Sequence, residues 1–210
     1  MRNLSERGIL TVVSGFSGSG KGTLMRELLK HYDCYVLSIS ATSRKPRPGE
    51  KEGESYFFKT REEFEEMIRK GELLEHAEYV GNYYGTPKKF VDEKLAEGKD
   101  VILEIEIDGA MQIRDKYPDA LLVFVTPPDA KELRRRIESR GTEDKENIEK
   151  RMRRAEMESY GMAGYDYIVV NDDLEECTRL LHGIIQASHY RPEHQREFLD
   201  QIRKELKQED

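Results

Sequence analysis

A doubly wound α/β fold, with one parallel sheet between layers of helices, is predicted by three features of the 210-residue sequence. Short runs rich in Val, Ile and Leu, typical of strands buried on both faces, alternate with longer amphipathic stretches. The length suits one sizeable core. No internal repeat or low-complexity linker divides the chain. We therefore expect a single domain over residues 1–210.

The elements follow from hydrophobic periodicity. The predicted strands are residues 9–14, 35–38, 101–105, 121–125 and 167–170. The predicted helices are residues 21–31, 87–97, 109–116, 130–139, 145–160 and 174–190. Residues 40–84 break the rhythm with a turn-rich opening, a short helical pattern near 61–70 and extended pieces that contain Tyr and Phe. We interpret residues 40–86 as an insertion that closes over a ligand, and residues 8–39 and 87–190 as the core.

The composition limits the class of protein. A net charge of −7, from 35 Lys and Arg against 42 Asp and Glu, argues against broad binding to nucleic acid. No apolar run approaches the roughly 20 residues that span a membrane, and the charged first residues leave no room for a signal peptide, so we expect a cytoplasmic protein. Cys34 and Cys177 lack the spacing of a disulfide framework or a zinc site. The charged tail, residues 191–210, could form a last helix on the body or on a second subunit, or it could fray.

A glycine-rich motif follows the first predicted strand. The segment GFSGSGKGT, residues 15–23, fits G-x-x-x-x-G-K and precedes a helical pattern, so strand, loop and helix are in the order that phosphate binding requires. Inward N–H groups and the helix dipole would bind phosphate oxygens, and Lys21 would reach the β- and γ-phosphates of a nucleotide. The predicted nucleotide-binding residues of this loop are Gly15, Ser17, Gly18, Ser19, Gly20, Lys21, Gly22 and Thr23. A glycine-rich turn without a ligand is the alternative.

The sequence departs from the usual motif at the position that commonly supplies a Mg²⁺ ligand. Gly22 stands directly after the lysine, where a Ser or Thr is usual, and Thr23 comes one place later. We therefore predict Thr23 as the protein ligand of the Mg²⁺ that accompanies ATP.

A second anion site is indicated by Arg44 and Arg47, which lie three residues apart on a proline-stiffened segment that is followed by Tyr56. Two guanidinium forks and a phenol hydroxyl suit a phosphate monoester. Taken alone, the two arginines could equally form a solvated basic turn.

Seven motifs together resemble the guanylate kinase family over residues 11–189. They are GFSGSGKGT, SATSRKPRPGE, YFF, LLEHAEYVGNYYGTP, EIDGAMQIR, SRGTE and YIVVNDD. The resemblance implies a P-loop three-layer fold with a five-stranded parallel sheet flanked by helices, a mixed α/β GMP-binding insertion and a small arginine-rich lid at about residues 139–155. It also implies Mg²⁺-dependent phosphoryl transfer from ATP to GMP, in purine nucleotide metabolism, with dGMP as a second acceptor and a homodimer as a candidate assembly.

The same resemblance assigns site residues. It gives the GMP phosphate to Arg44, Arg47, Tyr56 and Tyr84, and the guanine to Ser40, Glu75 and Thr86. A carboxylate accepts both the N1–H and the exocyclic amino group of guanine, and adenine offers no such pair, so Glu75 would discriminate between the bases.

Glu104 and Glu106 alternate with apolar residues near the end of a predicted strand, where α/β sheets bind ligands, and we include them among the GMP-binding residues. The family has acidic groups here, near the metal and the guanine, and commonly glutamine where this chain has Asp108. The alternative is that both glutamates are ordinary charges at a strand end.

The lid and the last strand complete the ATP side. By resemblance, Arg136, Arg140 and Arg151 grip the ATP phosphates, while the solvated face of the helices is expected to hold Arg134, Arg135, Arg153 and Arg154. Asn171 matches the adenine-side motif, and it could also cap the next helix.

An acceptor oxygen that is already ionised needs no dedicated general base, and the five histidines form no obvious dyad. Catalysis would depend on alignment and charge neutralisation by Lys21, Arg44, Arg136, Arg140 and Arg151. Two alternatives remain. One is a protein-binding module of the same family that has lost phosphate-loop function, and the other is a kinase for a different nucleoside monophosphate.

Overall fold

The computed structural model describes residues 7–79, 81–139 and 145–207. Its strands are β1 (Leu10–Gly15), β2 (Tyr35–Leu37), β3 (Ala41–Thr42), β4 (Phe57–Phe58), β5 (Leu73–Tyr79), β6 (Asn82–Pro87), β7 (Asp100–Glu104), β8 (Leu121–Thr126) and β9 (Tyr167–Val170). Its helices are α1 (Lys21–His31), α2 (Arg61–Arg69), α3 (Lys88–Ala96), α4 (Ile107–Lys116), α5 (Ala130–Glu138), α6 (Lys145–Ser159), α7 (Leu174–Ser188) and α8 (Arg196–Lys207). Short 3₁₀ turns cover Tyr160–Gly164 and Pro192–His194.

The central sheet is parallel throughout, with the strand order β2-β7-β1-β8-β9. This confirms the predicted five-stranded parallel sheet flanked by helices. Successive residues of β1 point to opposite faces. Val12 packs with residues of α3 and α4, and Val13 packs with residues of α1 and α7. Because both faces are covered, β1 is buried along its whole length, which fixes the point where the glycine-rich loop begins.

One buried carboxylate connects distant parts of this layer. Asp100, the first residue of β7, is 2% exposed. It accepts hydrogen bonds from the backbone N–H of Ile9, from the amide of Gln186 and from Nε2 of His189. A buried charge needs such partners, because water is not available to solvate it. Asp100 therefore ties the start of β1 and the end of α7 to β7.

The predicted insertion, residues 40–86, contains a second sheet with the order β4-β3-β6-β5. Strands β3 and β4 are parallel, and the other two pairs are antiparallel. Helix α2 begins with a reciprocal capping box between Thr60 and Glu63. The mixed α/β character predicted for this segment is confirmed. The local sequence pattern indicated the helix and the extended pieces but not how the strands pair, since two of the strands have only two residues each.

The charged tail forms α8, one of the arrangements considered for it. Phe198, Ile202 and Leu206 lie on this helix and are partly exposed. No helix among the described residues is both long and apolar enough to cross a membrane.

Candidate active site

The glycine-rich loop connects β1 to α1, as the motif predicted. Gly18 and Gly20 have φ values of 98° and 92°, in the left-handed region that favours glycine. A Cβ on Gly20 would also lie 2.5 Å from Nδ2 of Asn171. Glycine is thus required at this position both by the backbone conformation and by the closeness of a second segment.

Lys21 is the first residue of α1, and its ammonium group bends back over the loop. It donates hydrogen bonds to the carbonyl of Gly15 and, at 3.2 Å, to the carbonyl of Phe16. These carbonyls hold a positive charge beside the N–H groups at the start of α1, where a phosphate would bind. A positive charge therefore lies directly at the loop.

Two hydroxyls of the loop differ in their surroundings. Ser19 is fully buried, whereas Thr23 is exposed on the first turn of α1 and accepts a hydrogen bond from Arg26 at 3.0 Å. Within the described residues, no group of three or more His, Cys, Asp or Glu side chains could hold a metal. Mg²⁺ that arrives with ATP needs few protein ligands, because phosphates and water fill most of its positions. The Thr23 hydroxyl is a suitable oxygen donor, so the residues present fit the ion.

Arg136 and Asn171 support the loop from behind. Arg136, on α5, donates to the carbonyls of Ser19 and Asn171 at 3.3 and 2.9 Å, and its Nε donates to Glu132 at 2.7 Å. Asn171 donates its side-chain N–H to the same Ser19 carbonyl at 2.9 Å. The capping role considered for Asn171 is wrong, since the side chain that caps α7 is that of Asp173. The structure thus assigns backbone contacts to two residues for which the sequence suggested nucleotide contacts.

The remaining lid residues are only partly described. Arg140 lies outside the described residues, and Arg151 is half-buried on α6. Arg134 pairs with Glu149 and Arg135 with Glu132 at the surface. Arg154, which is also exposed, bonds to Glu106 and Glu158.

The predicted phosphate-monoester site forms around β3, β4 and β6. The Arg44 guanidinium lies 5.3 Å from the centre of the Tyr56 ring, and the rings of Tyr56 and Tyr84 meet edge to face with centres 6.2 Å apart. Glu50 and the Tyr84 hydroxyl both bond to Arg44 and raise its pKa. Arg47 lies nearby, with an exposed side chain and a backbone N–H that donates to Glu50. The structure thus brings together the four residues that the resemblance assigned to the phosphate.

The predicted guanine-reading residues surround a buried carboxylate. Glu75, on β5, is 5% exposed, and its Oε1 accepts a hydrogen bond from the Thr86 hydroxyl at 2.7 Å. Burial raises the pKa of Glu75 above its ordinary value, and the bonds from Thr86 oppose this rise. Ser40 is half-buried just before β3, and its carbonyl accepts the N–H of Phe57. Glu75 and Thr86 therefore form a compact polar pair between β5 and β6.

Glu104 and Glu106 do not share a strand. Glu104 is the last residue of β7, whereas Glu106 lies beyond the strand at the N-cap position of α4 and makes no capping bond. Glu106 bonds instead to Arg154 at 3.2 Å. A third carboxylate, Glu158 on α6, bonds to Arg154 as well, and burial raises its pKa, with a further rise from the charge of Glu106. Sequence reasoning missed Glu158, because nothing local relates it to β7.

A cavity of about 510 Å³ lies away from these residues, near the start of β1 and the end of α4. Its lining includes Leu10, Leu74, Tyr117 and His194 and none of the predicted nucleotide-binding residues. Volume alone therefore does not identify the site.

Sequence reasoning also missed Glu50 and Gln112. Glu50 has a weak signal, an acidic residue three places after Arg47 in a turn-rich segment. Gln112, whose side-chain amide bonds to the backbone of His76 on β5, has no signal of its own in the sequence. This contact depends on which strand α4 packs against.

Comparison with known proteins gives consistent matches. The family model described as guanylate kinase matches residues 7–188. A guanylate kinase of Lactococcus lactis subsp. lactis (strain IL1403) is 52% identical over 188 residues, which cover 90% of this chain and 92% of the relative. A guanylate kinase of Latilactobacillus sakei subsp. sakei (strain 23K) is 49% identical over 189 residues, with 90% and 93% covered. The crystal structure of guanylate kinase from Anaplasma phagocytophilum matches with a TM-score of 0.71 and 33% identity, with 90% of each chain covered.

Proposed function

The chain belongs to the guanylate kinase family, and we propose that it transfers the γ-phosphoryl group of Mg²⁺-ATP to GMP, which gives ADP and GDP. It is an enzyme of the nucleoside monophosphate kinase class. We place this reaction in cytoplasmic purine nucleotide metabolism and include dGMP as a second acceptor. A homodimer stays a prediction from the resemblance.

The buried carboxylate of Glu75 is the observation that supports GMP as the acceptor. An ionised carboxylate can accept the N1–H and the 2-amino group of guanine together, whereas adenine would leave it unpaired in a buried position. Tyr84 and Thr86 alternate with Gly85 on β6 and so point to the same face. One face of the second sheet thus carries a phenol for the phosphate and a hydroxyl beside the base-reading carboxylate.

On the acceptor side, we assign the GMP phosphate to Arg44, Arg47, Tyr56 and Tyr84. Ser40, Glu75 and Thr86 would read the base, and Glu104 and Glu106 would line the acceptor side of the cleft. The two guanidinium groups suit a phosphate dianion, because each presents several N–H donors in one plane. Closure of residues 40–86 over GMP would exclude water from the reacting groups.

On the donor side, the loop of residues 15–23 would bind the phosphates of ATP. Lys21 would exchange its carbonyl partners for the β- and γ-phosphates, and Arg136 would keep the Ser19 carbonyl in place behind them. Arg140 and Arg151 would add positive charge from the lid, and Asn171 would lie on the adenine side. The Thr23 hydroxyl would hold Mg²⁺, which supplies positive charge to the phosphates when it is bound.

The acceptor oxygen of GMP is ionised near neutral pH, so the transfer needs no protein base. The arginines and Lys21 would align the two phosphates and neutralise the charge between them. Because Lys21 is proposed to act on the phosphates, replacing it with alanine should greatly lower turnover while the protein still folds.

The test is the release of ADP from Mg²⁺-ATP with each nucleoside monophosphate, for the wild type, Lys21→Ala and Glu75→Gln. We expect turnover with GMP and dGMP, a fall of about 100-fold or more in Lys21→Ala, and weakened use of GMP in Glu75→Gln. Lys30→Ala, on the exposed side of α1, is the matched control and should behave as wild type. Folded protein without turnover for any acceptor would favour the protein-binding module. Equal use of AMP, CMP or UMP would favour a different monophosphate kinase.

A further inference from the structure

Gln112 is a glutamine of α4 whose side-chain amide contacts the strand that carries Glu75. We propose that Gln112 is a positioning residue for guanine recognition, which acts by fixing the backbone on one side of Glu75. The inference rests on the proposed role of Glu75 in reading the base. It concerns a residue that touches neither the base nor the phosphates in that proposal.

The contact is a double one. Oε1 of Gln112 accepts the backbone N–H of His76 at 3.2 Å, and Nε2 donates to the backbone carbonyl of His76 at 2.9 Å. A side-chain amide that bonds both groups of one residue provides the pairing that a neighbouring strand would otherwise provide. Strand β5 needs this partner, because it lies at the edge of the second sheet with β6 on one side only.

The backbone of β5 is irregular at this place. Its register with β6 shifts between Leu73 and His76, the interval that contains Glu75. An irregularity of this kind redirects side chains and interrupts the ladder of backbone hydrogen bonds. The position of the Glu75 carboxylate therefore depends on the groups that hold the backbone on both sides of Glu75, as well as on its bond to Thr86.

Helix α4 holds both sides. Gln112 bonds to His76, and Lys116, one turn later, donates its ammonium to the carbonyl of Leu74 at 3.0 Å. Residues four apart share one face of a helix. The residues before and after Glu75 are thus held by two side chains from the same face of α4.

Gly109 completes this face, three residues before Gln112. A Cβ on Gly109 would lie 2.7 Å from Oε2 of Glu75, so the absence of a side chain lets the carboxylate rest against the first turn of α4. Gly109 leaves space for the carboxylate of Glu75. Gln112 and Lys116 hold the backbone of the residues on either side of Glu75.

Loss of these bonds should affect the base site selectively, because the phosphate loop is supported by other residues, Arg136 and Asn171. If Glu75 is displaced, its bond to the 2-amino group of guanine is lost. The affinity for GMP should therefore fall more than the affinity for a nucleotide whose base lacks this group. We therefore expect a smaller ratio of kcat/KM for GMP to kcat/KM for IMP, whose base has no 2-amino group, and little change in KM for ATP.

The experiment compares Gln112→Met with the wild type, since methionine keeps the length of the side chain and removes the amide. We expect KM for GMP to rise about tenfold and the GMP-to-IMP ratio of kcat/KM to narrow about tenfold, with KM for ATP within about twofold of wild type. Lys116→Met, at an exposed position that carries little risk to folding, should shift the same two quantities in the same direction by less.

The matched control is Gln186→Met on α7, where a half-buried amide also makes two side-chain bonds, to Tyr35 on β2 and Asp100 on β7, and not to β5 or α4. It should lower Tm without changing the GMP-to-IMP ratio. A folded Gln112→Met that keeps the wild-type ratio, or that raises KM for ATP as much as for GMP, overturns the inference alone. A wild type without preference for GMP overturns the proposed function and this inference together.

Discussion

Arg44 directs both terminal nitrogens of its guanidinium at the carboxylate of Glu50, at 2.9 Å from Nη1 and 2.8 Å from Nη2. The same carboxylate accepts the backbone N–H of Arg47 at 2.7 Å. Bidentate pairs of this kind fix the orientation of the guanidinium as well as its position. One acidic residue therefore orients the guanidinium of Arg44 and holds the backbone of Arg47.

We expect Glu50→Gln to raise KM for GMP about fivefold to tenfold, since a neutral amide cannot hold the Arg44 fork through two charge-assisted bonds. KM for ATP should not change. The measurement is steady-state kinetics with each substrate varied, and Glu54→Gln, an exposed neighbour, is the control. A lower KM for GMP would instead show that Glu50 competes with the phosphate for Arg44.

Gly20→Ala should destabilise the protein more than Gly49→Ala. Both glycines have a left-handed φ, 92° and 88°, so both substitutions carry the roughly 1–2 kcal/mol cost of that conformation. Only Gly20 adds a close contact, with Asn171, whereas a Cβ on Gly49 meets nothing within 4 Å. Thermal unfolding of the two variants without nucleotide measures the difference. Equal values of Tm would mean that the loop moves away from Asn171 at no cost.

Arg136→Met should lower stability as well as the affinity for ATP, because Arg136 bonds to the backbone carbonyls of Ser19 and Asn171 and so joins two segments of the fold. A loss of about 2 kcal/mol in the free energy of unfolding would lower Tm by roughly 4–8 °C in a chain of this size. Arg135→Met, at the exposed neighbouring position, is the control for the loss of charge. An unchanged Tm together with weaker ATP binding would assign Arg136 to the nucleotide alone.

The use of GMP should depend on pH through Glu75. Burial raises the pKa of Glu75 above its ordinary value of 4.5. The ionised form that accepts guanine N–H groups is therefore lost at a higher pH than for an exposed glutamate. We expect kcat/KM for GMP to fall as the pH decreases through this raised pKa. Glu75→Gln should remove the part of this fall that comes from Glu75 and keep the part that comes from protonation of the GMP phosphate, whose second pKa is about 6. Glu78→Gln, exposed on the same strand, should keep both parts.

The same shift has the opposite consequence for folding. With its pKa raised in the folded state, Glu75 lowers stability as the pH rises from 4.5 through the folded pKa, because the unfolded chain releases this proton first. Glu75→Gln should therefore unfold at the same or a higher temperature than wild type at pH 7 while it loses preference for GMP. A marked fall in Tm would show that the ionised carboxylate stabilises the fold.

The parts that the sequence predicted best are local. The loop of residues 15–23 could be located because strand, glycines, lysine and helix are contiguous in the chain. The bond between Gln112 and His76 joins residues 36 positions apart, so it depends on how α4 packs on β5. The pairing of the strands in the second sheet was not predicted for a similar reason, since β3 and β4 acquire their pairing from contacts between segments.

For Asn171, the motif predicted where the residue lies but not which group its side chain bonds to. Resemblance placed Asn171 near the nucleotide, and the structure does place it beside the loop. Its side-chain amide, however, bonds to a backbone carbonyl of the loop. The distinction required the three-dimensional position of Ser19, which no local pattern contains.

The buried Asp100 carboxylate affects the order in which parts of the chain fold. Its partners, Ile9 and His189, are separated by most of the sequence. A nascent chain that has not yet released the end of α7 from the ribosome would have to bury this charge without Gln186 and His189, which is unfavourable. We therefore expect β1, and with it the position of the phosphate loop, to settle only after the last turn of α7 has docked. In that case the end of α7, which is proposed to touch neither substrate, would set the time at which the newly made protein can first bind one.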